Sequence, residues 1–365
     1  VPLQEPSNRG ADEFTAAAAA WESYGQTGEG IRMGIIDTGV DYTHAAFGGP
    51  GTEEAYAEAY GEDGTAAVPE HLFDDAKHLG GWDFAGPNYD ASGTIPGTTP
   101  VPQPNPNPID APFTRAHSGH GTHVAATAAG YGVTPDGETF RGDYGDVGDI
   151  SDWEVGPGSA PESGIYALKV FGDLGGSSAL TINALVWAAD PVGDLSFNNL
   201  DVVNLSLGST ASPVDNPQNL FVDRLSELGT LSVMAAGNDG DATDVGGSPG
   251  NATTSLSVAN SIADAMSFDA VEVTDAADDS LIGLHPGQNT VFYEGTDGVE
   301  GTVVYLGDGV DGCAPLTDYG DEVAGNVIWL HWDDNDATRT CGSGDMWENA
   351  TAAGATGVLI GTEEP

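Results

Sequence analysis

The chain is 365 residues long, more than one ordinary domain of roughly 150 residues requires, so two units or one large core with an insertion are expected. Eight Lys and Arg stand against 57 Asp and Glu, a formal net charge of −49 at pH 7, and a field of that sign repels phosphate backbones; nucleic-acid binding is excluded on this ground. The acidic residues are spread along the chain, 39% of all residues are hydrophobic, and no run approaches the ~18 apolar residues of a membrane-spanning helix, so tail-like acidity, disorder and a membrane span are excluded as well.

In chain order, an alanine-rich stretch with Trp21 predicts a helix over Thr15 to Tyr24, and Gln26 to Gly30 a turn. Ile31 to Ile36 has the nearly continuous apolar character of a strand covered on both faces and ends at Asp37-Thr38-Gly39. Seven prolines between Pro96 and Pro112 exclude helix and central strand and predict an extended, polyproline-like surface loop. The buried-strand signature returns at Ile165 to Val170, Asp201 to Leu205, Thr230 to Ala235 and Leu256 to Ala259. Between these strands, Ile182, Leu185, Val186 and Ala189 follow helical spacing, as do Phe221, Leu225 and Leu228. This alternation predicts an α/β fold, a doubly wound parallel sheet with ligands at the carboxyl ends of its strands. From about Met266 the pattern changes to short strands, Thr290 to Tyr293, Gly301 to Leu306 and Asn326 to Leu330, then a helix over Asp345 to Ala353 and a strand at Gly357 to Ile360. The expected division is therefore 1–265 and 266–365, the second part β-rich.

Three segments carry chemistry. Asp37 ends an apolar strand, where a doubly wound sheet places catalytic groups, although a lone Asp-Thr-Gly serves equally as a capped turn. His117-Ser118-Gly119-His120-Gly121-Thr122-His123 packs three of the eight histidines into a turn that opens an Ala-rich helix. His120 there can take a hydroxyl proton on one ring nitrogen while a carboxylate orients the other. Zinc on His120 and His123 is the rival, without a His-Glu-x-x-His pattern or a nearby Cys to support it. Asn238, in Ala235-Ala236-Gly237-Asn238, is either a turn residue or a side-chain amide aimed at a developing oxyanion. A second Asp-Thr-Gly, which an aspartic protease dyad would need, does not occur.

In this order, Ile35-Ile36-Asp37-Thr38-Gly39-Val40-Asp41, Gly119-His120-Gly121-Thr122-His123-Val124-Ala125 and Ala235-Ala236-Gly237-Asn238 resemble the subtilisin-like serine proteases, the subtilases. Ile165 to Phe171 and Val203 to Gly208 match further family segments. The resemblance implies that Asp37 orients His120, that His120 is general base and acid, that Asn238 is the oxyanion donor, and that His123 is structural. It further implies that Ser206-Leu207-Gly208 form a wall of the primary specificity pocket and that Gly175-Gly176 pair with extended substrate. The family nucleophile sits in Gly-Thr-Ser, which occurs nowhere among these residues, and Ser343 in Gly342-Ser343-Gly344 does not replace it.

The segment from Met266 to Pro365 resembles the protease-associated domain that many secreted subtilases carry between the oxyanion Asn and the nucleophilic Ser. The expectation is an inserted, incomplete α+β unit, in a chain whose serine lies downstream. Val1 in place of Met is consistent with a processed terminus or with a fragment. Cys313 and Cys341 lie in this unit, 28 positions apart, and a disulfide between them is expected in preference to two buried thiols. No cofactor is required by the implied chemistry. Structural calcium is common in the family, and Asp275-Ala276-Ala277-Asp278-Asp279 is a turn able to hold it or a solvated acidic face. Asn251-Ala252-Thr253 and Asn349-Ala350-Thr351 match the glycosylation triplet. The implied partners are polypeptide substrates, the propeptide and the carboxyl-terminal remainder, and the implied location is extracellular. The implied function is a secreted serine endopeptidase, with a non-catalytic pseudoprotease that binds extended peptides as the competing reading.

The charge carries its own prediction: screening of surface carboxylates by molar salt should raise the unfolding midpoint. Thermal unfolding across a NaCl series checks it, and a midpoint that stays level or falls contradicts it.

Overall fold

A computed structural model describes residues 12, 15–113, 115, 118–150, 152–191, 193, 198–238, 243–260, 269–287, 299–307, 309–333 and 339–361. The chain divides into two compact units, whose boundary falls between Met266 and Ser267. The expected strand at Thr290 to Tyr293 and His117 lie outside the described residues.

The larger unit is built on a six-stranded parallel sheet. In chain order it comprises α1 (Ala17–Tyr24), β1 (Arg32–Asp37), α2 (Glu53–Tyr60), β2 (His78–Asp83), α3 (His120–Ala129), β3 (Gly164–Lys169), α4 (Thr181–Ala189), β4 (Val202–Leu205), α5 (Pro217–Glu227), β5 (Leu231–Ala235) and β6 (Leu256–Val258). The strands run in the order β2-β3-β1-β4-β5-β6, every neighbouring pair parallel. Alternation along β1 sends Met33 and Ile35 to a cluster with Ala125 and Ala129 of α3. Ile36 goes to the opposite cluster with Leu185 of α4 and Leu225 of α5. Asp37 has the parity of Ile35, so β1 delivers its terminal carboxylate to the α3 side.

Three expectations are corrected. The buried stripe of α4 is Thr181, Ala184, Leu185 and Ala188, and that of α5 is Asn219, Val222 and Leu225. Val186, Phe221 and Leu228 face outward instead, because small residues let a helix lie closer on the sheet than the bulkier stripe would. Strand β6 is an edge strand with Leu256 52% and Val258 50% exposed, not one covered on both faces.

The third correction concerns the proline-rich loop, of which only the first part is a surface feature. Asn107, Pro108, Ile109, Asp110 and Ala111 are buried. Asparagine amides make this burial possible by taking up polar groups that water would otherwise satisfy. Asn107 Oδ1 accepts from Tyr42 Oη at 2.9 Å, its Nδ2 donates to the Ala59 carbonyl at 2.9 Å, and Val40 N donates to the Pro108 carbonyl at 3.0 Å. The amides of both Asn-x-Thr triplets make hydrogen bonds within the fold. Asn251 Nδ2 donates to the Ser212 carbonyl at 2.8 Å, and Asn349 Nδ2 to the Gly312 carbonyl at 2.9 Å.

In the smaller unit, an antiparallel hairpin of β7 (Asp269–Val273) and β8 (Gly283–Gly287) precedes a three-stranded parallel sheet. That sheet, in the order β11-β10-β9, consists of β9 (Val303–Tyr305), β10 (Val327–His331) and β11 (Gly357–Gly361), with α6 (Ser343–Ala352) crossing between the last two. Ile328, Leu330, Met346 and Ala350 form its core, and a Cys313–Cys341 disulfide lies beside them.

Both lysines of the chain are buried, which leaves arginine as the cation of the surface. Lys77 Nζ donates to the carbonyls of Ala129, Pro161 and Ser163 at 2.6, 2.7 and 2.7 Å and stands 4.1 Å from the centroid of the Tyr131 ring. Burial works against the charge and pushes the group down to about 7. The three carbonyls work for it, because three acceptors need three N–H donors and the neutral amine has two. One acceptor, the Ala129 carbonyl, ends α3. The neighbouring carbonyls of Thr127, Ala128 and Gly130 accept from Ser159, Ala160 and Gly158. Lys77→Met strands three buried acceptors at ~1–3 kcal/mol each, offset by removal of a buried charge, and a net loss of about 3 kcal/mol is expected. Denaturant unfolding of the variant checks this; an unchanged or higher midpoint would show that charge burial dominates.

Candidate active site

The carboxyl edge of the large sheet gathers the residues singled out from the sequence. Asp37 ends β1, Ser206-Leu207-Gly208 follow β4, and Asn238 follows β5 at an exposed turn, on three adjacent parallel strands. Gly175 and Gly176 follow β3 on the same edge, both at positive φ (94° and 100°). Asn204 Nδ2 donates to Ser206 Oγ at 3.0 Å, which fixes the start of the segment after β4.

Asp37 and His120 meet directly. Asp37 is 1% exposed, and its Oδ1 lies 2.6 Å from His120 Nδ1 while accepting the Thr38 N–H at 2.7 Å. The His120 side chain is 55% exposed. With Nδ1 turned to a buried carboxylate, Nε2 is left for a proton arriving from solvent or from a bound group. The hydrogen bond to Asp37 is the main cause that raises His120 above its usual 6.5; burial opposes it, and the charges of Asp37 and Asp110 add to it.

Glycine makes the approach possible. A Cβ on Gly121 would lie 2.2 Å from the Gly39 carbonyl oxygen, so only glycine lets the first turn of α3 rest against the end of β1. Gly39 adopts φ 114°, and a Cβ there would meet the Pro108 and Ile109 carbonyls at 2.7 and 2.8 Å. The helix has no side-chain cap on Gly119. Its first N–H groups find partners elsewhere: Gly121 N donates to Thr38 Oγ1 at 2.8 Å and Thr122 N to Asp110 Oδ2 at 3.1 Å. Sequence reading missed Thr38, Asp110 and Thr122. A glycine at the head of the helix, with no side chain to cap it, was the available signal that capping had to come from elsewhere.

His123, expected to be structural, is exposed and therefore supplies no core packing. Among the described residues, no group of three or more His, Cys, Asp or Glu side chains is arranged to hold a metal ion. In the Asp275 to Asp279 turn the acidic side chains are on the surface. Asp278 Oδ1 is occupied by Ser280 N and Oγ at 2.9 and 2.7 Å, and Asp275, Asp278 and Asp279 are exposed without converging.

A family model described as the subtilase family, Peptidase_S8, matches residues 28–302. The chain belongs to the subtilase family. Minor extracellular protease Vpr of Bacillus subtilis is 28% identical over 245 residues, covering 67% of this chain and 22% of that protein. Pyrolysin of Pyrococcus furiosus is 33% identical over 169 residues, 42% of this chain and 12% of that protein. The chain thus spans a minor part of the length of these relatives. A solved protease of Pseudoalteromonas arctica aligns over 71% of this chain and 66% of its own with 20% identity and a TM-score of 0.41. No helix among the described residues is long and apolar enough to cross a membrane.

The raised His120 value has a definite sign. The stabilisation from its pairing with Asp37 is complete below the unfolded value of 6.5 and is lost as pH rises through the higher folded value. His120 should titrate above 6.5 by NMR of the ring nitrogens, and Asp37→Asn should lower the midpoint, because burial is then opposed only by the charge of Asp110. An unmoved midpoint would contradict the pairing.

Proposed function

We propose that this chain supplies the proton relay and substrate cleft of an exported serine endopeptidase. The observation that carries the reading is the 2.6 Å contact of the buried Asp37 carboxylate with His120 Nδ1 at the carboxyl edge of a parallel sheet. The sequence holds no Gly-Thr-Ser, so the reading assigns the nucleophilic Ser to residues outside these 365. A serine Oγ adds to the peptide carbonyl carbon while His120 Nε2 takes its proton, and Asp37 holds the resulting imidazolium. Asn238 Nδ2 donates to the oxyanion, a contact whose removal costs ~3 kcal/mol in subtilisin. His120 then returns the proton to the leaving amine, and water, deprotonated by the same nitrogen, releases the acyl group.

In this reading Ser206, Leu207 and Gly208 form one wall of the pocket for the side chain before the cleaved bond, and Gly175 and Gly176 pair with extended substrate. The relay needs no cofactor. The smaller unit is assigned as a protease-associated insert, and the propeptide and the remainder of the polypeptide as partners. Export accords with the acidic exterior, with the disulfide and with the similarity to Vpr, an extracellular protease.

The absence of Gly-Thr-Ser from these residues favours one second reading, a peptide-binding pseudoprotease. The two are separated by treating the protein expressed from its full reading frame with a serine-directed phosphonofluoridate and mapping the label by mass spectrometry. One labelled serine, with peptide hydrolysis that falls by about 10³-fold or more in His120→Ala, is expected of the endopeptidase. Peptide binding with neither label nor hydrolysis would replace it with the pseudoprotease.

A further inference from the structure

The end of the proline-rich segment holds a carboxylate that the relay does not use. Asp110 is 1% exposed, and its Oδ2 accepts both the Thr122 N–H at 3.1 Å and the Thr122 hydroxyl at 2.6 Å. Its Oδ1 accepts from Ala111 N at 2.9 Å. The Thr122 hydroxyl in turn accepts from Asp41 N at 2.9 Å, so one side chain of α3 is clasped by the loop after β1 and by the proline-rich loop.

Counting from Gly119 as the cap position, Gly121 and Thr122 carry the two N–H groups that an N-cap side chain ordinarily satisfies. Thr38 takes the first and Asp110 the second. The cap of α3 is thus split between two distant segments, and one of them adjoins Asp37. Asp110 is itself anchored. Tyr56 Oη donates to its backbone carbonyl at 2.9 Å, and the preceding carbonyl, of Ile109, accepts from buried Lys169 Nζ at 3.0 Å. Lys169 is held by Asp173 at 2.6 Å, whose other oxygen accepts from Tyr60 Oη at 2.6 Å.

We infer that Asp110 is a positioning residue for His120: through Thr122 it fixes the first turn of α3 so that His120 Nδ1 stays on Asp37. The inference rests on the endopeptidase reading for its catalytic meaning, not for its geometry. The groups facing the two side chains are few. Asp37 and Asp110 act on His120; burial pushes the Asp110 carboxyl up, opposed by its hydrogen bonds from Thr122 and by the charge of Lys169; and the Asp41 carboxylate is taken up by the Thr43 N–H and hydroxyl.

Three substitutions separate charge from hydrogen bonding. Asp110→Asn keeps an oxygen for Thr122 but removes the charge, whereas Thr122→Val removes the hydroxyl bridge, and Thr122→Ser restores it. The experiment follows the His120 ring nitrogens of the protein expressed from its full reading frame by NMR against pH, together with the low-field Nδ1 proton shared with Asp37. Asp110→Asn should lower the His120 midpoint, because it removes one of the two carboxylates whose charges raise it. Thr122→Val should broaden or abolish the low-field proton, and Thr122→Ser should recover it.

A role limited to folding would lower stability without moving the His120 midpoint. That outcome, or a low-field proton unaffected by Thr122→Val, overturns the inference. If circular dichroism shows that Thr122→Val does not fold, Asp110→Asn alone decides. These readouts need no substrate. Failure of the hydrolysis and labelling assays would therefore remove the endopeptidase reading while leaving the positioning of His120 by Asp110 separately measured.

Discussion

The close seating of the first turn of α3 on the carboxyl end of β1 is the constraint on which the site depends. It brings a helix N-terminus against a buried carboxylate, which the helix dipole favours, and sets the ring of His120 beside Asp37. The seating has no tolerance for a side chain at Gly121, because the space a Cβ would need is occupied by the Gly39 carbonyl. Everything that holds α3 in place therefore bears on the contact between Asp37 and His120.

The helix is secured at both ends by different means. At its start, Thr38 and Asp110 take the free N–H groups that Gly119 cannot. At its end, Ser159, Ala160 and Gly158 take three carbonyls and Lys77 takes a fourth. Lysine in such a place is costly to bury and strongly directional once buried. In a chain with two lysines and a net charge of −49, placing both in the interior means that neither is there to neutralise the surface. The acidic exterior and the cationic anchors of the core are two sides of one composition.

The proline-rich segment shows how local reading and tertiary context part ways. Prolines exclude helix and central strand from composition alone, and the segment is indeed neither. Its burial near Asn107 to Ala111 was not legible, because asparagine and aspartate in a loop ordinarily mark solvent. Here their side chains supply the hydrogen bonds that let the backbone leave water. The outward turn of Val186 and Phe221 has a similar origin. Helical spacing identifies an apolar stripe, but the sheet selects the neighbouring stripe of smaller residues that can approach more closely.

By itself the sequence determined the α/β alternation, the strands that build the large sheet from β1, β3, β4 and β5, and the ordered motifs around Asp37, His120 and Asn238. Those features are carried by periodicity and by residues contiguous in the chain, which a linear reading can see. Only the tertiary structure decided that β2 joins the sheet beside β3, that Lys77 and Lys169 lie inside, and that Asp110 and Thr38 complete the cap of the histidine helix. Thr38 and Asp110 stand 83 and 12 residues away from the helix N–H groups they accept from. Neither partnership leaves a local pattern, since hydrogen bonds between distant segments are fixed by the packing of the sheet and its helices and not by spacing along the chain.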